Sequence, residues 1–217
     1  MKNIPRIYID DNIKTGITIP LTRETLHYLT RVMRTRNCLV FGGGNEYSAN
    51  VSDDDKNLII GAKTSHIDPS NNITLMFAPI KHTDDLINMA TQMGVARILP
   101  VITARTVAHH INWGRMKKIA TEAAEQSNRN SVPEILEPVK FSELDLSDVV
   151  FADERAAYGS DVSVDFNTDK ILIGPEGGFS DTEFEMLDAA GARGVGLGKT
   201  ILRAETAAIV ALAKILK

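Results

Sequence analysis

Two glycine-rich segments of this chain have the residue types and spacing to hold a flat, charged small molecule. The first, Ile171-Leu172-Ile173-Gly174-Pro175-Glu176-Gly177-Gly178-Phe179-Ser180, leaves an apolar run and enters a helical pattern. Gly174, Gly177 and Gly178 remove side chains and permit positive φ, so the backbone can approach a planar ligand closely, while Pro175 stiffens the turn. Ser180 and Glu183 have the spacing of a capping box, which marks where the helix starts. A plain strand-to-helix turn is the competing reading. Three glycines, a proline and the Glu176 carboxylate within five residues favour a ligand loop. The second segment, Leu197-Gly198-Lys199-Thr200-Ile201-Leu202-Arg203-Ala204-Glu205-Thr206, also follows a strand and opens the last helix. Arg203 and Glu205 sit at that helix N-terminus, where free N–H groups and the helix dipole favour negative charge. Here the competing reading is a surface ion pair between the two.

Other chemistries fit less well. Gly198-Lys199-Thr200 has the ending of a phosphate-binding P-loop, but the leading glycine is replaced by Arg193, and only seventeen residues follow Thr200. That leaves no later strand to present a magnesium-binding aspartate. No Gly-x-Gly-x-x-Gly follows the apolar run Ile73–Pro79, where a dinucleotide enzyme needs one. No metal is expected: neither the five histidines nor the cysteine has ligand spacing, and His109-His110 are adjacent rather than one helical turn apart. Cys38, the single cysteine, excludes an internal disulfide and sits beside Leu39-Val40-Phe41 as a buried small hydrophobe.

The elements that must position these loops form two groups. Short strands are expected at Ile4–Ile9, Gly16–Ile19, Cys38–Phe41, Glu46–Val51 and Leu58–Ala62, interrupted by a helix from Thr22 to about Met33 with Leu26, Leu29 and Met33 on one face. That pattern suggests a small barrel. The polar turn Asp68-Pro69-Ser70-Asn71-Asn72 marks a boundary, giving domains 1–70 and 71–217. Beyond it, strands at Ile73–Pro79, Ala96–Ile102, Val149–Asp153, Lys170–Gly174 and Gly194–Leu197 alternate with helices at Thr83–Met93, Trp113–Gln126, Thr182–Ala190 and Ala204–Leu216. Apolar strands without polar alternation imply an α/β domain with a parallel sheet covered on both faces. Ligands bind such sheets beyond the carboxyl ends of the strands, where both glycine segments fall.

A content of 43% hydrophobic and 24% charged residues is that of an ordinary globular protein. No stretch approaches the roughly 20 apolar residues of a membrane span, and the start lacks a signal-peptide core, so a cytoplasmic protein is expected. The net charge of −4 conceals an asymmetry. Residues 1–50 hold seven Lys/Arg against four Asp/Glu and residues 97–130 hold six against two, whereas residues 134–188 hold three against fifteen. One basic, anion-binding side and one solvated acidic side are implied.

The two loops, read as ILIGPEGGFS and LGKTILRAET, resemble the cofactor loops of the SPOUT methyltransferase superfamily. Within it they are most similar to the bacterial family that methylates N3 of a uridine in 16S ribosomal RNA. Ile119–Ile135, as IATEAAEQSNRNSVPEI, resembles that family's helix-and-loop signature. Ile4-Pro5-Arg6-Ile7-Tyr8 and His27-Tyr28-Leu29-Thr30-Arg31-Val32-Met33-Arg34 resemble its opening module. The four motifs occur in the family's order across nearly the whole chain. The resemblance implies a trefoil-knotted α/β fold where the strand pattern alone suggests an ordinary doubly wound sheet. It further implies a PUA-like amino-terminal barrel that holds RNA, and a homodimer with the site near the subunit interface. It also implies S-adenosylmethionine as methyl donor and ribosomal RNA of the small subunit as substrate, in the assembled 30S particle.

For the residues it implies Arg203 and Glu205 as catalytic. Phe77, Ala78, Pro79, Ile173, Gly174, Pro175, Glu176, Gly177, Gly178, Leu197, Gly198, Ile201, Leu202 and Thr206 would form the cofactor pocket. Arg6, Arg31, Arg34, Arg36, Arg105, Arg129 and Asn130 would contact RNA. A SPOUT enzyme acting on transfer RNA or on a ribose oxygen, and a non-catalytic RNA-binding protein, are the alternatives. Thr103-Ala104-Arg105-Thr106-Val107 keeps an arginine but otherwise departs from the family pattern, as does the segment 141–168.

Overall fold

The computed structural model describes residues 4–10, 12–69, 71–107, 112–159 and 165–216, so the His109-His110 pair lies outside the described residues. The chain divides into two compact units, residues 1–70 with 121–132 and residues 71–120 with 133–217.

The first unit is a five-stranded curled sheet: β1 (Arg6–Tyr8), β2 (Thr18–Pro20), β3 (Asn37–Gly42), β4 (Asn45–Val51) and β5 (Asn57–Lys63), in the order β1-β3-β4-β5-β2. The β1–β3 pair is parallel and the rest are antiparallel. Gly42 pairs with Asn45, so Gly43 and Gly44 alone make the turn, with φ of 56° and 78°. Two positive φ values in a two-residue hairpin are the mirror-image turn that matches strand twist, and glycine takes them without steric cost. Inside, Leu29, Cys38, Val40, Ala49, Val51, Leu58 and Ile60 form the core. Burial there pushes the Cys38 thiol up to about 12, so it is an inert small hydrophobe.

The helix expected from Thr22 to about Met33 is present over residues 23–32 but changes type along its length. Thr22 caps it by accepting from the Thr25 N–H at 3.1 Å, and α1 runs over Arg23–His27. It then widens into a π-turn, Tyr28–Val32, closed by the Met33 N–H donating to the Tyr28 carbonyl at 2.9 Å. Burying Leu29 fixes which side of the segment faces inward.

Arg6 and Asn130, expected on an RNA-binding surface, are interior here. The Arg6 Nε donates to Glu46 at 2.9 Å, its Nη2 to the Asn130 side chain at 2.7 Å and its Nη1 to the Ala124 carbonyl at 3.2 Å. Its guanidinium also lies 4.3 Å over the Phe41 ring. Asn130 donates to the His66 carbonyl and receives no solvent. These groups tie residues 121–132 to the barrel. They leave neither side chain a face for a phosphate. A buried, multiply bonded cation is costly to lose because its partners stay behind without compensation. Arg6→Ala is therefore expected to destabilise this unit by about 3–5 kcal/mol, read as a lower urea midpoint; an unchanged midpoint would show that water replaces the guanidinium.

The second unit is built on a parallel sheet of β6 (Thr74–Phe77), β7 (Arg97–Ile102), β8 (Glu134–Ile135), β10 (Val150–Ala152), β11 (Lys170–Ile173) and β12 (Arg193–Val195), with β9 (Val139–Lys140) also paired to β7. The order is β12-β10-β11-β6-β7-β8. Strands β6 and β11 are mostly apolar and are buried, apart from the half-buried Lys170 that opens β11. Of the helices α2 (Thr83–Met93), α3 (Trp113–Gln126), α4 (Asp181–Ala189) and α5 (Ala204–Ile215), α5 packs on β11 and α2 on α5, while Phe184 and Leu187 of α4 join the core with Phe151 and Leu172. Gly94, at φ 92°, ends α2, as its position predicts. Phe141, Phe151, Phe179 and Phe184 pack with ring centroids 5.7–6.3 Å apart, filling the space between sheet and α4. Placing β11 between β6 and β10 sets the carboxyl ends of β10, β11 and β12 along one edge.

Candidate active site

Three segments leave that edge and enclose a cavity of about 520 Å³. One is the turn Glu154–Tyr158 after β10, one the glycine loop after β11, and one the stretch from Leu197 to Ala204 that leads into α5. Each is held in a definite way. Asp153, 4% exposed, caps the first turn by accepting from the Arg155 N–H at 3.0 Å, and its carboxylate also takes the Arg155 guanidinium. That guanidinium in turn reaches Asp188 on α4 and lies 4.3 Å over the Phe184 ring.

The second segment is a tight turn in which the Gly178 N–H donates to the Pro175 carbonyl at 2.9 Å. Gly178 has φ 69°, and a Cβ there would overlap the Glu154 carboxylate. At Gly174 a Cβ would stand 3.1 Å from the buried Phe179 ring. The left-handed backbone favours glycine at 178, and a Cβ at 174 would need the buried Phe179 ring to shift, whereas Gly177 has ordinary room, its nearest neighbour being Arg105 at 3.5 Å.

Arg105 donates to the Gly177 carbonyl at 2.8 Å and the Phe179 carbonyl at 3.1 Å. Glu183 completes the capping box at Ser180 and also accepts from the Ala104 N–H at 2.7 Å. The 103–106 turn and the glycine loop thus brace each other. Arg105, expected to contact RNA, is a wall of the cavity and is committed to these carbonyls.

Among the predicted pocket residues, Ile173, Gly174, Pro175, Glu176, Gly177, Gly178, Leu197, Gly198, Ile201 and Leu202 line the cavity, and Arg203 lines it with them. Phe77, Ala78 and Pro79 do not: they are buried at the end of β6, where the Ala78 N–H donates to the Ile173 carbonyl at 3.0 Å. They support the loop from behind. Thr206 points outward from the first turn of α5 and is not in the lining. Glu205 is half-buried in that turn and is also outside the lining. The ion pair between Arg203 and Glu205 is not formed; among the described residues the exposed Arg203 guanidinium has no ion pair or hydrogen bond.

Glu154 and Tyr158 also line the cavity, and no motif in the sequence marks them. Burial pushes the Glu154 carboxyl above its ordinary range, with the neighbouring Asp153 charge adding to this and the Phe179 amide and Arg105 opposing it. The available signal was the end of the strand Val149–Asp153, since parallel-sheet sites lie beyond strand ends. Which strands are neighbours was not legible from the pattern.

Of the remaining predicted RNA contacts, Arg129 is 14% exposed and lies 3.3 Å from Asp68, which also accepts from the Asn130 and Ser131 N–H groups. Arg36 is exposed but paired with Asp55 at 2.7 Å. Arg31 and Arg34 are exposed with no ion pair or hydrogen bond from their side chains among the described residues. No group of three metal-ligating side chains occurs among the described residues, and no helix among them is long and apolar enough to cross a membrane.

Comparisons with known proteins cover most of the chain. Residues 68–216 match the RNA methyltransferase domain family, and residues 21–62 match the RNA methyltransferase PUA domain. The chain is 32% identical to the ribosomal RNA small subunit methyltransferase E of Rickettsia conorii, covering 97% of this chain and 94% of the relative. It is 30% identical to the protein of the same name from Mesomycoplasma hyopneumoniae, covering 91% and 93%. A crystal structure of the ribosomal RNA small subunit methyltransferase E of Neisseria gonorrhoeae, bound to S-adenosyl methionine, is similar with a TM-score of 0.82 at 28% identity over 97% of this chain and 96% of that one.

Proposed function

Because the chain belongs to the RNA methyltransferase family, we propose that it is an S-adenosylmethionine-dependent methyltransferase of small-subunit ribosomal RNA, acting on N3 of a uridine. The observation that carries this reading is the glycine-walled cavity with the Arg203 guanidinium, unpaired among the described residues, at its lining. About 520 Å³ is within the range of small-molecule sites and suits a nucleoside-sized cofactor. A Cβ at residue 178 would intrude on that wall, which fits a loop whose backbone must lie close to a ligand.

Gly174, Gly177, Gly178 and Gly198 would hold S-adenosylmethionine through backbone groups, with Leu197, Ile201 and Leu202 as apolar walls. The half-buried Glu154 carboxylate would accept from hydroxyl or ammonium donors of the same molecule. The bound cofactor supplies a methyl group already activated by the sulfonium. What remains for the protein is to align the acceptor and make it nucleophilic. Uracil N3 carries a proton at neutral pH, so the site must remove it and stabilise the anion spread over the flanking oxygens. Arg203, with a planar fork of donors and no ion pair or hydrogen bond among the described residues, suits those oxygens. Glu205, two residues on, lies outside the cavity lining and is not engaged by Arg203; in this reading the N3 proton passes to solvent while Arg203 stabilises the anion.

The amino-terminal 1–70 module is read as the RNA-holding part. The homodimer, the assembled small subunit as substrate and a cytoplasmic location belong to the same proposal, supported by the motif resemblance. Titration calorimetry with S-adenosylmethionine, against ATP as comparison, should give selective binding of the former. Nucleoside mass spectrometry of small-subunit RNA treated with protein and cofactor should then give N3-methyluridine. A ribose-methylated product would reassign the acceptor, and binding of neither ligand would reject the enzyme reading.

A further inference from the structure

The outward face of the segment that follows Thr22 plays no part in the cavity. Leu26 and Leu29 pack into the barrel core, with Leu29 fully buried, which turns the complementary positions outward. His27, Tyr28, Arg31 and Val32 stand three and four residues apart on that side, the spacing that makes helical neighbours. All four are exposed, Tyr28 at 38% and Val32 at 59%. The backbone here is unusual twice over: it contains the π-turn Tyr28–Val32, and Arg34 takes φ 52°, a left-handed conformation that a non-glycine residue adopts sparingly. Among the described residues, the side chains of Arg23, His27, Arg31 and Arg34 have no ion pair or hydrogen bond. Glu24 is the single carboxylate between Leu21 and Arg36.

We propose that this face is a docking surface for unpaired RNA, in which Tyr28 stacks on a splayed-out base, Val32 packs at its edge, and Arg31 and Arg34 hold the flanking phosphates. The inference rests on the RNA methyltransferase reading and specifies which RNA feature the amino-terminal unit takes. An exposed aromatic ring among cations that lack internal partners suits a polyanion with accessible π-faces. A duplex buries its base faces, whereas loops and single strands offer them. An apolar protein partner would leave the arginines without counter-charges, so charge complementarity selects the nucleic acid.

Fluorescence anisotropy of the full chain with labelled octauridylate, and with an RNA duplex of equal charge, tests this. Tyr28→Ala should weaken octauridylate binding by roughly tenfold or more, in line with the loss of one base–aromatic stack, and leave duplex binding unchanged. Tyr28→Trp should retain affinity, and its added emission should be quenched by octauridylate. Arg31→Ala should lower the slope of log affinity against log salt by about one. Calorimetry with S-adenosylmethionine on the same variants separates the two readings. If wild type binds the cofactor and octauridylate but Tyr28→Ala binds octauridylate equally well, the docking surface is wrong and the enzyme reading stands. If Tyr28→Ala weakens both RNAs equally, or alters the oligomeric state in place of RNA affinity, the stacking role is also overturned.

Discussion

Arg203→Ala should lower methyl transfer by about two to three orders of magnitude, the usual cost of deleting one preorganised donor to a developing oxyanion. Affinity for S-adenosylmethionine should stay nearly unchanged. The side chain is exposed and without an internal hydrogen bond or ion pair among the described residues, so its removal strands no buried partner and leaves the fold intact. The loss should therefore fall on the chemical step. Arg203→Lys should recover only part of the rate, because a single ammonium cannot match a fork of donors. Single-turnover methylation of small-subunit RNA, with calorimetric cofactor affinity in parallel, reads the two effects separately; undiminished turnover in Arg203→Ala would remove this residue from the mechanism.

Gly178→Val should damage the cofactor site from the opposite direction. At φ 69° a β-branched residue costs about 1–3 kcal/mol of backbone strain, and its Cβ would also meet the Glu154 carboxylate. If that strain populates a loop conformer that cannot bind, apparent affinity falls by the same energy, or roughly 5- to 150-fold. Gly177→Ala provides the contrast, since a Cβ there stands at ordinary contact distance from Arg105 and the residue is not in the left-handed region. It should bind nearly as wild type. Calorimetry with S-adenosylmethionine and thermal melting of both variants check this, and a Gly178→Val protein that binds normally would place the cofactor elsewhere.

The family, the α/β fold of SPOUT type and both glycine loops were legible in the sequence because their constraints are local. A capping box at Ser180 and Glu183, a left-handed Gly94 after α2, and the apolar runs of β6 and β11 are each specified by residues within a few positions of one another. The alternation of strands and helices after residue 71 was legible for the same reason. The roles of the arginines are not set locally. Arg6, Arg31, Arg36, Arg105 and Arg129 look alike in a sequence, each a basic residue near polar neighbours. Burial and partners separate them: Arg6 bonds Glu46 and Asn130 inside the barrel, Arg105 holds the glycine loop, and Arg31 and Arg34 remain open to solvent.

Local residue patterns specify which segments can be strand, helix or ligand loop, and they place Arg203 at the start of α5, beside the second glycine segment. Long-range packing sets β10 between β11 and β12, which brings Glu154 beside Gly178 and the stretch after β12 against both, closing the third wall of the cavity. It also decided that residues 121–132 complete the barrel through Arg6. Range accounts for the division. Backbone preference and hydrophobic period act over one or two turns, while strand order and the pairing of a buried charge depend on groups about 40 to 124 residues apart, whose meeting is fixed by how the whole core packs.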